Sequence, residues 1–164
     1  MIRTYHAPWD KTLRIASWGI VAFCVMATAA LFFFAEGRLA WNVVWLVLVV
    51  AGAAPFTIRG YTINENEIGV RRLFWTTRIK RDQLIRAEVM PNAMRGSLRT
   101  CGNGGAFSFT GWYWNKALRS YRAFVTHQRN TVVLWFANKT IVMSPDDPER
   151  FAEDLNGKEP SDAG

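Results

Sequence analysis

Arg99-Thr-Cys-Gly-Asn-Gly-Gly-Ala-Phe-Ser-Phe-Thr-Gly-Trp-Tyr-Trp114 places four glycines and five aromatic rings in sixteen residues. Read as a phosphate cradle, it would make the chain an α/β nucleotide-binding protein. Read as bent sheet, it makes the chain a small β domain. A dinucleotide fingerprint needs a third glycine where this chain has Phe107, after Gly102 and Gly104, and a helix to follow. No helical pattern follows, and no Gly-Lys-Ser or Gly-Lys-Thr occurs anywhere, so a Walker-type loop is absent as well. Two readings remain. In the first, the glycines are bends and bulges of a curved sheet, and Phe107, Phe109, Trp112 and Trp114 alternate into the core. In the second, part of the stretch is a loop whose tryptophans meet a membrane interface or a partner, beside Lys116, Arg119 and Arg122.

The flanking sequence favours sheet. Tyr61–Ile63 and Ile68–Val70 enclose Asn64-Glu-Asn-Glu67, a turn-type sequence that predicts a hairpin. Trp75–Lys80, Ile85–Met90, Tyr121–Thr126, Thr131–Phe136 and Thr140–Met143 are further β-branched or aromatic runs separated by polar turns. About seven short antiparallel strands follow, curling into a barrel or sandwich. One helix closes the domain. Ser144-Pro-Asp-Asp-Pro-Glu-Arg-Phe-Ala-Glu-Asp-Leu155 supplies cap residues, first-turn prolines and early acids, and Gly157 ends it. Phe151 and Leu155 share a face that should plug one end of the sheet.

Toward the N-terminus the pattern is different. Ile15–Ala35 runs 21 residues without a charge and Leu39–Ile58 runs 20. At about 1.5 Å per residue each is long enough to cross a hydrocarbon layer of roughly 30 Å. The first run exceeds the apolar core of a secretory signal, and a second run follows almost at once. With only Glu36-Gly37-Arg38 between them, the two form a transmembrane hairpin. Arg3, Lys11 and Arg14 precede it and Arg59, Arg71 and Arg72 follow it, against one Arg38 in the loop, so both termini are expected in the cytoplasm. Trp18, Trp41 and Trp45 lie near the span ends, and Pro55 bends or ends the second span. The chain thus divides into a cytoplasmic segment 1–14, a membrane hairpin 15–58, a soluble domain 59–156 and a tail 157–164.

Composition narrows the chemistry. Between Glu88 and Asp146 there is no Asp or Glu, so no carboxylate pair or Ser-His-Asp set can be built within that half of the domain. His127 falls in turn sequence. Two histidines and two cysteines, Cys24 and Cys101, make neither a zinc site nor a disulfide framework. No catalytic residue, cofactor or metal is expected. Residues 59–143 carry 14 Lys and Arg against 4 Asp and Glu, whereas residues 144–164 carry 2 against 7. A basic sheet held near a cytoplasmic leaflet attracts anionic headgroups.

Several motifs together resemble the bacterial pleckstrin-homology-like (PH-like) domain family: NENEIGVRR followed by RIKRDQLIRAEV, the spaced glycines of RTCGNGGAFSFTGWYW before YRAFVT, and SPDDPERFAEDL opening the last helix. The resemblance covers about Arg59 to Leu155. It implies a curved seven-stranded sheet capped by a helix, and it implies no single activity. The expected fold is therefore a membrane-anchored α+β protein, a two-helix transmembrane hairpin followed by a PH-like antiparallel barrel or sandwich with one C-terminal helix. The expected function is non-enzymatic binding of a protein, of a second copy of the chain, or of anionic lipid headgroups at a bacterial inner membrane. The alternative is an accessory subunit of a membrane enzyme or transporter. Candidate contact residues are Arg71, Arg72, Arg78, Lys80 and Arg81 near the first hairpin, with Trp112, Trp114, Lys116, Arg119 and Arg122. Nucleic acid is not an expected partner, because no recognition motif accompanies the charge.

Overall fold

The computed structural model describes residues 2–34, 57–104 and 107–157, together with 48, 52 and 55. Strand β1 (Arg3–His6) leads into helix α1 (Lys11–Phe34). From residue 58 onward come β2 (Ile58–Ile63), β3 (Glu67–Arg72), β4 (Thr76–Lys80), β5 (Leu84–Val89), β6 (Leu98–Gly104), β7 (Phe109–Asn115), β8 (Arg119–Val125), β9 (Val132–Phe136) and β10 (Thr140–Met143), closed by helix α2 (Pro148–Asn156). One sheet has the order β1-β2-β3-β4 and the other β5-β9-β10-β8-β7-β6. All pairings are antiparallel except β10 with β8.

The sheets pack on each other through Tyr61, Ile68, Val70, Phe124, Leu134, Ile141 and Met143, with Phe151 and Leu155 of α2 plugging one end as expected. A second cluster occupies the opposite face of the larger sheet. There Tyr113, Tyr121, Ala123, Val125, Val133 and Val142 are covered by Ala93 and Met94 from the β5–β6 connection. Strands β9 and β10, and β8 from Ala123 onward, are thus buried on both faces, which explains their apolar runs. A buried polar node ties the sheets together. The Tyr61 hydroxyl donates to the Phe124 carbonyl over 2.6 Å and accepts from the Ser144 amide at 3.2 Å, while Ser144 Oγ accepts from the Thr126 amide at 2.8 Å.

Among the described residues, ten strands replace the expected seven. Two of the additional three come from the glycine-rich stretch, which forms the β6–β7 hairpin. Gly102 and Gly111 face each other across it at φ 116° and 140°, values that L side chains rarely adopt. Their backbones approach so closely that a Cβ on Gly111 would lie 2.7 Å from Gly102 Cα and inside the Cys101 carbonyl. The expected alternation is displaced, however: Tyr113 and Asn115 are buried on the face away from the smaller sheet, while Trp112 and Trp114 are 45% and 38% exposed. The inner face of β6 and β7 extends past the shorter facing sheet, so alternation alone could not say which parity is covered.

The remaining additional strand corrects the N-terminal boundary. Residues 1–14 are not a separate segment, because Arg3–His6 pairs along β2 from Ile63 to Gly60. Asp154 of α2 holds this strand in place, accepting from the Arg3 guanidinium and the Tyr5 hydroxyl. Helix α1 starts at Lys11, earlier than the charge-free run implies. Its first turns rest on the domain: Leu13 and Ser17 are buried, and the Phe107 amide donates to Ser17 Oγ at 3.0 Å. The next part of the helix stands clear, with Trp18, Phe23 and Met26 about two-thirds exposed. Lys11–Ala30 is long and apolar enough to cross a membrane. The second expected span, 39–58, and the tail after Gly157 lie almost wholly outside the described residues.

Candidate binding surface

The ten candidate residues do not form one patch. Arg78, Lys80 and Arg81 sit where β4 runs away from the Arg72–Ile58 pairing at the start of β2. Arg78 lies 3.8 Å from Glu67 in an exposed ion pair, a geometry worth well under 1 kcal/mol. Arg81 is committed to structure, donating from Nη1 to the Asn64 carbonyl and from Nη2 to the Leu155 carbonyl, each at 3.0 Å. It thereby fastens the end of α2 to the first hairpin. The shallow depression beside it is lined by Lys80 and Arg81 but also by Glu65, Glu67 and Asp82, so its charge is mixed.

Lys116 and Arg119 occupy the β7–β8 turn at the same remote end, both exposed. That turn is set by buried Asn115, which accepts from the Leu118 amide at 2.7 Å and donates to the Ala93 carbonyl at 2.9 Å. Arg119 closes it at φ 60°.

Arg72, Trp112 and Arg122 form a second group, drawn from β3, β7 and β8. Arg72 is only 8% exposed; its guanidinium carbon lies 5.6 Å from the Phe124 ring and 5.7 Å from the Trp75 ring. Arg122, exposed, lies 4.9 Å from the same Phe124 ring. Burial first, and then the positive charge of Arg122, pull the Arg72 guanidinium below its ordinary pKa. The two cations therefore face one aromatic ring between the sheets, and Trp112 pairs with Arg122 on the neighbouring strand. Trp114, Leu98 and Ser120 continue this face outward, with Leu98 67% exposed. Arg71 is exposed on the other side of β3.

Three residues were not among the candidates. Phe74, 75% exposed, and Trp75, 42% exposed, stand at the tip of the β3–β4 hairpin. Phe107 meets the Trp9 ring at 6.4 Å beside α1. The signal for the first two was present in the sequence: Arg72-Leu-Phe-Trp75 connects two strands without a glycine, proline, asparagine or aspartate, although turns favour those residues.

The titratable groups have structural partners. His127 Nδ1 accepts from the Asn130 amide at 3.3 Å and so shapes a turn. Burial pushes the Tyr61 and Tyr113 hydroxyls up to about 12. Among the described residues, no three of His, Cys, Asp and Glu gather as metal ligands.

Two curved sheets packed face to face and plugged by a C-terminal amphipathic helix define a PH-like domain. The chain belongs to the bacterial PH domain family, which matches residues 59–159. Strand β1 lies outside that match, so the family's domain is completed here by a strand that precedes α1 in the chain. No curated protein and no solved structure matches the chain.

Proposed function

We propose that this is a membrane-anchored, non-catalytic binding protein that displays its PH-like domain on the cytoplasmic face of a bacterial inner membrane. The carrying observation is α1, whose large apolar side chains beyond its first two turns project from the domain unburied. Such a surface is stable in lipid and a liability in water. Its 24 residues reach about 36 Å, enough for one crossing.

Topology supports a second crossing. Strand β1 precedes α1 and pairs with β2, so both ends of residues 11–57 are held together in one sheet, and in this reading they share one side of the membrane. A chain that leaves through α1 must return before Ile58. The charge-free run 39–58 has the length for it. In this reading the termini share the cytoplasm, and the partner is an anionic headgroup surface, a membrane protein or a second copy of the chain. No role in nucleic-acid binding is proposed.

A second reading, an accessory subunit of a membrane enzyme or transporter, is favoured by the uncovered face carrying Leu98, Trp112 and Trp114. Extraction of the tagged full chain into mild detergent, followed by native mass determination, tests both. A lone or self-associated species retaining anionic lipid supports the first reading. A stoichiometric second protein supports the other. Recovery of the chain in the soluble fraction without detergent overturns the anchored reading.

A further inference from the structure

The β3–β4 hairpin closes through the Arg72 amide, which donates to the Trp75 carbonyl at 2.9 Å, leaving Leu73 and Phe74 as its tip. This tip has a fixed base. Arg72 is wedged beneath it between the Trp75 and Phe124 rings. The Phe74 ring, 75% exposed, is therefore held out from the sheet, while the Trp75 ring leans on Arg72 and still presents 42% of its surface.

The tip is level with the places where the chain departs for α1 and returns from it. Ile58, the first residue of β2, is the partner of Arg72. On the facing sheet, the Asp10 amide donates to the Thr126 carbonyl at 3.1 Å, immediately before α1 begins and two residues beyond Phe124. Exposed cations surround these junctions: Lys11 and Arg14 in the first turn of α1, Arg59 at the β2 bulge, and Arg71 at the base of the tip. Projecting aromatic rings with a collar of cations suit the headgroup zone, where an apolar body is buried while charges stay hydrated beside anionic lipid.

We propose that Leu73-Phe74-Trp75 is a membrane-docking wedge that seats in the headgroup zone of the leaflet entered by α1, pinning the domain against the bilayer. This rests on the anchored reading above. The wedge fixes the domain's tilt, leaving the Lys116–Arg119 end directed away from the lipid.

The test uses the full chain with Cys24 and Cys101 replaced by Ser, reconstituted in phosphatidylethanolamine–phosphatidylglycerol vesicles. A single cysteine is placed by Phe74→Cys, Lys116→Cys or Phe23→Cys and labelled with an environment-sensitive fluorophore. The expected result is a blue-shifted Phe74→Cys probe, quenched at least twofold more than the Lys116→Cys probe by lipids spin-labelled near the headgroup. A Phe74→Cys probe as aqueous as Lys116→Cys, with Phe23→Cys quenched by chain-labelled lipid, overturns the wedge and leaves the anchor standing. An aqueous Phe23→Cys probe overturns both. A Phe74→Cys probe that is blue-shifted but unquenched by lipid, and sensitive to protein density, overturns the wedge in favour of a protein contact.

Discussion

At the residue scale, two positions carry constraints that their neighbours do not share. Gly111 combines φ 140° with a backbone approach that leaves no room for a Cβ. Gly111→Ala should cost at least about 2 kcal/mol, because strain and backbone collision add. Gly96, at φ 69° with open space around its Cβ position, provides the comparison, and Gly96→Ala should cost about 1 kcal/mol. Thermal unfolding of the detergent-solubilised chain checks the difference; equal midpoints would show that β6 and β7 can separate at no cost. Tyr61 is the second position. Its hydroxyl is buried between the sheets, and burial raises its pKa from 10.0 to about 12. Because the folded state holds this proton more tightly than the unfolded state, stability is complete below pH 10 and falls as pH rises from about 10 to about 12. Tyr61→Phe should lower stability by roughly 1–3 kcal/mol at pH 8, since the Ser144 amide and Phe124 carbonyl lose a partner. The same substitution should lessen the alkaline decline in the melting temperature, leaving the part due to Tyr5, Tyr113 and Tyr121, whose hydroxyls burial also pushes up. An unchanged slope would place the alkaline sensitivity elsewhere.

At the scale of elements, β1 is the piece that ties the start of α1 to the domain. It is an edge strand of four residues, too short to persist on its own. Its position depends on Asp154, which lies on α2 and takes both the Arg3 guanidinium and the Tyr5 hydroxyl. Asp154→Ala leaves the Tyr5 hydroxyl buried without that acceptor, and local opening of β1 should become easier by about 2 kcal/mol. Hydrogen exchange should then show roughly thirtyfold lost protection in Arg3–His6, with β8 and β9 unaffected. Uniform loss across the sheets would mean that β1 holds the whole fold and not only its own edge. This element also marks where sequence reading stops. The α2 helix was legible because its signals are local: Asp147 caps the Arg150 amide at 3.1 Å, and Gly157 adopts φ 76°. The β9–β10 hairpin was legible because its apolar runs and turn residues are adjacent. Arg3-Thr-Tyr-His6 has no strand pattern of its own, and its partner lies more than fifty residues away across an apolar helix. The site divided along the same line. Basic residues near Arg71 and Arg122 could be listed from sequence, but their grouping around Phe124 is set by sheet packing, as is the burial of Arg81 against α2.

At the scale of the whole molecule, charge and topology place the same constraint on how the chain meets a bilayer. The sheets are basic and the C-terminal piece acidic, with 14 Lys and Arg against 4 acids before Ser144 and 2 against 7 from there on. A domain so polarised is attracted to an anionic leaflet by one side and repelled by the other. The β1–β2 pairing adds that the strands flanking the membrane segment cannot lie on opposite sides without unfolding the smaller sheet. On the anchored reading proposed above, these call for an even number of crossings between Asp10 and Ile58, and the sequence then expects the loop Glu36-Gly37-Arg38 on the outer side. In spheroplasts carrying the chain with Cys24 and Cys101 replaced by Ser, Gly37→Cys should react with an impermeant maleimide in intact cells. Ser161→Cys should react only after permeabilisation. If Gly37→Cys is protected until the membrane is opened while the chain still fractionates with membranes, α1 lies along the surface instead of crossing it. Its exposed rings would then seat in the same headgroup zone as Phe74 and Trp75. If both positions react from outside, the domain is external, and attraction to the cytoplasmic leaflet cannot be what orients it.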